Sequence, residues 1–137
     1  MAQIPNPSRV GDMPSGEPFP EGTYNVRLDK ADFKLSKDKK IPMAECAFTV
    51  FGPASAEEFH GRKVFENLML EGEGRFRTRQ LLEETGEDDE FVLEDTDQLV
   101  GREVGAVILV EPERTDTASG KKYGAKNKIH RFTQLVD

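Results

Sequence analysis

"GTYNVRLDKADFKLS", residues 22–36, decides how the rest of the chain is read. Tyr24, Val26 and Leu28 alternate with Asn25, Arg27 and Asp29, the period-two pattern of a half-buried strand. The alternation then slips by one, to Ala31, Phe33 and Leu35. Strand side chains repeat every two residues, so a slip of one reverses the buried face. A bulge or sharp bend near Asp29–Lys30 reconciles the two halves. The expectation is one long, kinked first strand, of the kind a small and strongly curved sheet uses.

Reading outward, "IPMAECAFTVFG" (41–52) predicts a second strand, with Cys46, Phe48 and Val50 alternating against Glu45, Ala47 and Thr49 and a stop at Gly52–Pro53. "PASAEEFHG" (53–61) reads as a loop. "GRKVFENLML" (61–70) reads as a third strand, with Val64, Leu68 and Leu70 on one side and Phe65 on the other. In "GEGRFRTRQLLEETG" (72–86) the period becomes helical: Phe76, Gln80, Leu81 and Leu82 form a stripe, and Gly86 is the C-terminal stop. "VGREVGAVILVEPER" (100–114) is the clearest strand, with Val104, Ala106, Ile108 and Val110 on one face. A polar, flexible loop is expected over 115–126 and a last strand in "NKIHRFTQLV" (127–136).

Three strands, a helix and two strands is the order of the all-β, five-stranded oligonucleotide/oligosaccharide-binding (OB) barrel, whose helix lies between the third and fourth strands. Residues 1–20 hold five of the eight prolines and read as a flexible arm, leaving 21–137 as a single domain. Phe48, Phe76 and Phe132 are assigned to the core; Phe33, Phe51 and Phe65 also read individually as core rather than contact residues.

The chain of 137 residues carries a formal charge of −7, which argues against attraction of its whole surface to nucleic acid. The distribution matters more, because exposed charges more than about 8–10 Å apart are largely screened. Lys34, Lys37, Lys39 and Lys40 gather within one short stretch, and Lys121, Lys122, Lys126, Lys128 and Arg131 within another that includes Tyr123. Acids crowd 83–97, where Phe91, Val92 and Leu93 form an apolar pin. In the inferred barrel the basic stretches fall on the connections between strands 1 and 2 and strands 4 and 5, which flank the ligand face. A lone cysteine excludes an internal disulfide and suits a reducing, intracellular setting. No signal peptide or membrane span is read.

The series "PFPEGTYNVRLDKADFKLSKDKKIPMAECAFTVFG", "HGRKVFENLML", "LLEETG", "LVGREVGAVILVE" and "KNKIHRF" resembles a family of small phage proteins, encoded beside replication and recombination genes and taken to be single-stranded-DNA-binding proteins with an OB fold. The likeness runs from about Pro18 to Phe132. It implies that Lys34, Lys37, Lys39 and Lys40 form the family's lysine-bearing element. Gly61 to Phe65 would open the third strand, and Tyr123, Asn127 and Ile129 would form the closing region. The chain ends "QLVD", without the acidic, aromatic-tipped tail typical of bacterial single-strand binders, so tail-dependent recruitment is not expected.

Single-strand binding needs cations along the phosphates and π-faces for bases. The cations expected to serve are Lys34, Lys37, Lys39, Lys40, Arg62, Lys63, Lys121, Lys122, Lys126, Lys128 and Arg131, with Tyr123 stacking on a base; the alternative for each cluster is a set of solvated loop lysines. Catalysis is not expected. His60 and His130 are isolated, Cys46 reads as a small core residue, and "GEDDEFVLEDTD" lacks the alternation and turning glycine of a calcium loop. The reading is a non-catalytic, sequence-tolerant single-stranded-DNA-binding protein, without metal or cofactor, self-associating, in the cytoplasm of an infected bacterium and serving phage replication or recombination. The alternative is a protein–protein module, a virion component or an adaptor recruiting a recombinase or host factor through 83–97.

Overall fold

The computed structural model describes residues 3–5, 18–37, 40–115, 117–120 and 122–137, with the backbone only at Lys122 and Tyr123. β1 (Gly22–Leu35) pairs with β2 (Pro42–Gly52) along one side and with β4 (Glu103–Glu111) along the other. β3 (Lys63–Met69) extends the sheet beyond β2, and β7 (Lys126–Thr133) extends it beyond β4. The result is a five-stranded antiparallel sheet in the order β3-β2-β1-β4-β7, with one helix, α1 (Phe76–Glu84), between β3 and β4 in the chain. A second, two-stranded sheet pairs β5 (Arg114–Thr115) with β6 (Lys122–Tyr123), so the stretch expected to be a polar, flexible loop contains a short antiparallel pairing.

β1 carries the expected bulge. Leu28 faces Phe48 and Lys30 faces Ala47, leaving Asp29 as the extra residue. Tyr24, Val26 and Leu28 are therefore buried before the slip and Ala31 after it. Phe33 and Leu35 were expected on the same inner row but are exposed. The reason lies in the partner strand: β4 pairs with β1 only from Gly22 to Arg27, so the end of the β1–β2 ribbon outruns the body. β7 has a bulge of its own. Ile129 faces Ile108 and Arg131 faces Val107, and the extra His130 lets Ile129 and Phe132 both turn inward.

The sheet curls until its edge strands approach each other, giving a barrel-like all-β fold whose seam is closed by side chains rather than by a ladder. Edge strands present unpaired N–H and C=O groups that must find partners. The Ile129 N–H donates to Glu66 Oε1 at 2.6 Å, and Arg77 Nη1 donates to Glu66 Oε2 at 2.9 Å and to the Ile129 carbonyl at 3.0 Å. α1 lies along this seam. The Thr78 hydroxyl donates to the Met69 carbonyl of β3, Gln80 Oε1 accepts from the Phe132 N–H of β7, and Leu81 enters the core. The helix ends as expected: Gly86 has φ of 101°, its N–H bonds to the Glu83 carbonyl, and the Glu87 N–H reaches the Leu82 carbonyl.

The core holds Phe48 and Phe132 as expected, but not Phe76, which is exposed at the first turn of α1. Phe19, inside the stretch read as an arm, is buried against Tyr24 and Phe59 and is hydrogen-bonded in both directions to Asn127. The acidic segment is anchored by fully buried Leu99 and partly buried Leu93, while Val92 of the expected pin faces solvent. Among the described residues no helix is long and apolar enough to cross a membrane.

Candidate nucleic-acid interface

Cross-strand neighbours on β1, β2 and β3 share a face, so the outer surface carries the rows Lys30–Ala47–Phe65, Asp32–Glu45–Asn67 and Lys34–Met43–Met69. Phe65 stands outward because Val64 and Leu68 take the inner positions, and its neighbour on β2 is a small alanine that leaves the ring uncovered. Phe76 reaches the same region from α1, because Thr78 and Leu81 occupy the buried side of that helix. Phe65 is 61% and Phe76 60% exposed, a large apolar area left in water unless something covers it.

These two rings line a groove of about 840 Å³ that runs across the seam. Its floor is Glu66, Arg77 and Ile129, the residues that close the barrel. Glu45 stands on one bank and Lys126, Lys128 and His130 on the other. Lys34, at the root of the β1–β2 loop, donates to Glu45 at 2.7 Å. Lys126 and Lys128, just after the β5–β6 pairing, approach from the opposite side, with Lys128 4.0 Å from Glu111. The second basic stretch thus lines the groove directly through Lys126 and Lys128, whereas Lys34 of the first lies outside the lining and touches it only through Glu45. Exposed pairs of this kind contribute only about 0–1 kcal/mol, so exchanging a carboxylate for a phosphate oxygen costs little.

The other expected site residues divide into three groups. Lys37, Lys40 and Arg131 are exposed, Lys40 with a φ of 54°. Lys63 and Arg62 lie outside the groove lining. Lys63 reaches Thr49 Oγ1 at 3.0 Å and Asp29 at 3.6 Å, bracing the bulge, and the Arg62 guanidinium lies 5.3 Å from the centre of the Phe19 ring. Lys39 and Lys121 fall outside the described residues; the Lys122 and Tyr123 backbones pair with Thr115 and Arg114. Phe65 was the aromatic to find: its place opposite Val64, across from Ala47, is written in the alternation of both strands.

Asp29 organises the outer face at the bulge. Burial pushes its carboxyl up, but hydrogen bonds from Arg27 and Thr49 and the charges of Arg27 and Lys63 outweigh that and hold it below the usual carboxylate range. Cys46 is a different case: burial, with the nearby Glu66, Asp32 and Glu45 charges, pushes the thiol up to about 12, which makes it a poor nucleophile. His60 contacts the Pro53 carbonyl at 3.0 Å. Among the described residues no group of three or more His, Cys, Asp or Glu is placed to hold a metal ion.

A second, larger groove opens on the other side of Phe76 and Met69, toward 87–96, and is lined by eight carboxylates and two arginines. In the first groove three carboxylates (Glu45, Glu66, Glu111) face three cations (Arg77, Lys126, Lys128). The negative charge of the chain is therefore gathered in one groove and balanced in the other. No protein-family model matches the chain, and a search of curated proteins finds no match.

Proposed function

We propose that this protein is an OB-type barrel that binds single-stranded DNA without chemistry and with little sequence preference, as a phage replication or recombination factor working in the host cytoplasm. The observation that carries the reading is the meeting, in one groove, of two uncovered phenylalanine rings with Lys126 and Lys128 of the second basic stretch, while Lys34 of the first is paired to Glu45 on its bank. Bases stack on Phe65 and Phe76, at roughly 1–3 kcal/mol per base, while Lys34, Lys126 and Lys128 hold the backbone and the loop lysines extend its track. The strand order β3-β2-β1-β4-β7, with a helix after β3, supports the OB assignment. The resemblance to phage single-strand binders supports the setting, and cooperative coating of a strand would require self-association.

The test is binding of a fluorescent oligo-dT of about 30 nucleotides, beside duplex of equal length, at about 50 and 200 mM salt. With roughly four phosphates neutralised and a single-strand slope near −0.7 per phosphate, this fourfold rise in salt should weaken binding about 50-fold. Replacing Lys37, Lys39, Lys121 and Lys122 together with alanine should weaken binding and flatten the salt response. Absence of single-strand binding at the lower salt would overturn the function and leave the fold standing.

A further inference from the structure

The second groove has a different chemistry. Its apolar surface comes from Phe33 at the end of the β1–β2 ribbon, Leu70 after β3, Phe76 and Leu82 of α1, and Phe91 and Val92 of the acidic segment. Phe33 is 61% and Val92 63% exposed, so the ribbon overrun and the solvent-facing residue of the apolar pin converge on one surface. Its volume, about 1300 Å³, exceeds the roughly 300–1,000 Å³ of small-molecule sites. The two arginines on its rim are engaged already, Arg75 with the Gly72 carbonyl and Arg79 with Glu83 and Asp89. The rim therefore presents negative charge around an apolar floor.

We infer that this groove docks a basic, amphipathic segment of a partner protein, apolar side chains on the Phe33–Phe76–Val92 floor and lysines or arginines against Glu71, Glu73 and Glu94. Charge complementarity selects this occupant. Nucleic acid and anionic lipid surfaces carry the same sign as the rim, and a second copy of the chain brings a charge of −7 of its own. The recognition mode is an amphipathic helix laid into a groove, anchored at intervals of three to four residues. The inference does not rest on the DNA reading; the two grooves share only Met69 and Phe76, and Phe33, Val92 and the acidic rim belong to the second alone.

The probe is a synthetic amphipathic peptide of about 16 leucines and lysines, followed by fluorescence anisotropy, with a leucine-free lysine peptide of equal length as comparison. Phe33→Ser with Val92→Ser, both at exposed positions, should weaken the leucine–lysine peptide about tenfold, as should Glu71→Lys with Glu94→Lys. Glu57→Lys with Glu58→Lys makes the same charge change outside the groove lining and should alter affinity by less than about twofold. Phe65→Ala, which impairs the first groove alone, should leave peptide binding unchanged. Equal losses in both glutamate pairs, or no loss in the serine pair, would overturn the inference by reducing it to general attraction between opposite charges. Sedimentation of the protein alone that reveals self-association abolished by the serine pair would replace the partner with a second copy.

Discussion

Glu66 is the residue on which closure of the barrel depends, and Glu66→Ala measures that dependence. The carboxylate is 12% exposed and makes two bonds: it accepts the Ile129 N–H at 2.6 Å and the Arg77 guanidinium at 2.9 Å. Alanine leaves a part-buried backbone N–H without its acceptor, at about 1–3 kcal/mol, and removes a charge-assisted bond worth a further 1.5 kcal/mol or more. Arg77 keeps the Ile129 carbonyl and, at 3.4 Å, the Asn67 carbonyl, and its partial exposure lets water reach the remaining N–H groups, so its own penalty is small. The expected loss is about 3 kcal/mol, which for a domain of this size lowers Tm by roughly 10 °C. Urea denaturation should show a lower midpoint with an unchanged slope. Glu66→Gln keeps an acceptor for Ile129 and loses only the ion pair, so it should cost about half as much. The oligo-dT affinity of Glu66→Ala should fall as well, under conditions where the protein is still folded, because the groove floor is this same seam. An alanine variant within about 0.5 kcal/mol of the native protein would refute the reasoning and mean that the edge strands need no side-chain bridge.

Phe65→Ala and Phe76→Ala should each reduce oligo-dT affinity by about 1–3 kcal/mol, roughly fivefold to 150-fold, while urea midpoints stay within about 0.5 kcal/mol, because both rings are already in water. The Cys46 thiol should react with a disulfide reagent only as fast as the protein opens. Its folded pKa of about 12 lies above the ordinary thiol value near 9, so its contribution is fully present below about pH 9 and disappears as pH rises toward 12; Cys46→Ala should lose less stability across that interval. Gly105→Ala should cost more than about 3 kcal/mol or prevent folding, since a Cβ there would overlap the Gln134 carbonyl oxygen and the Thr133 hydroxyl; native-like urea stability would contradict this.

The Asp29 bulge is legible because only an inserted residue lets Tyr24, Val26, Leu28 and then Ala31 face the same core. The extent of burial beyond it is not, because Phe33 depends on where a strand 70 residues later stops pairing. Phe76 misleads for a local reason. The buried side of the helix runs through Thr78 and Leu81, which leaves Phe76 on the outside. Glu66 reads as an ordinary polar position on a strand, since its partners Arg77 and Ile129 come together only when the sheet curls. Leu99, set between Gln98 and an exposed Val100, gives no periodic signal, yet it is the buried residue of 96–102.

β3 condenses the design into a few residues. Val64 and Leu68 enter the core, Glu66 closes the seam, and Phe65 and Asn67 face the first groove, all set by a period of two on an edge strand. A register shift of one residue would exchange the exposed ring for the bridging carboxylate and lose both placements together. Met69 and Phe76 stand between the two grooves and line both, so the charge-balanced and acid-lined surfaces share a wall. A polyanion lying in the first groove is therefore confined on that side by repulsion rather than by shape. Repulsion and the lysine contacts are both screened by salt, but they oppose each other. Neutralising the acidic wall should accordingly tighten oligo-dT binding most at low salt and steepen its salt dependence, whereas removing Lys126 and Lys128 should flatten it.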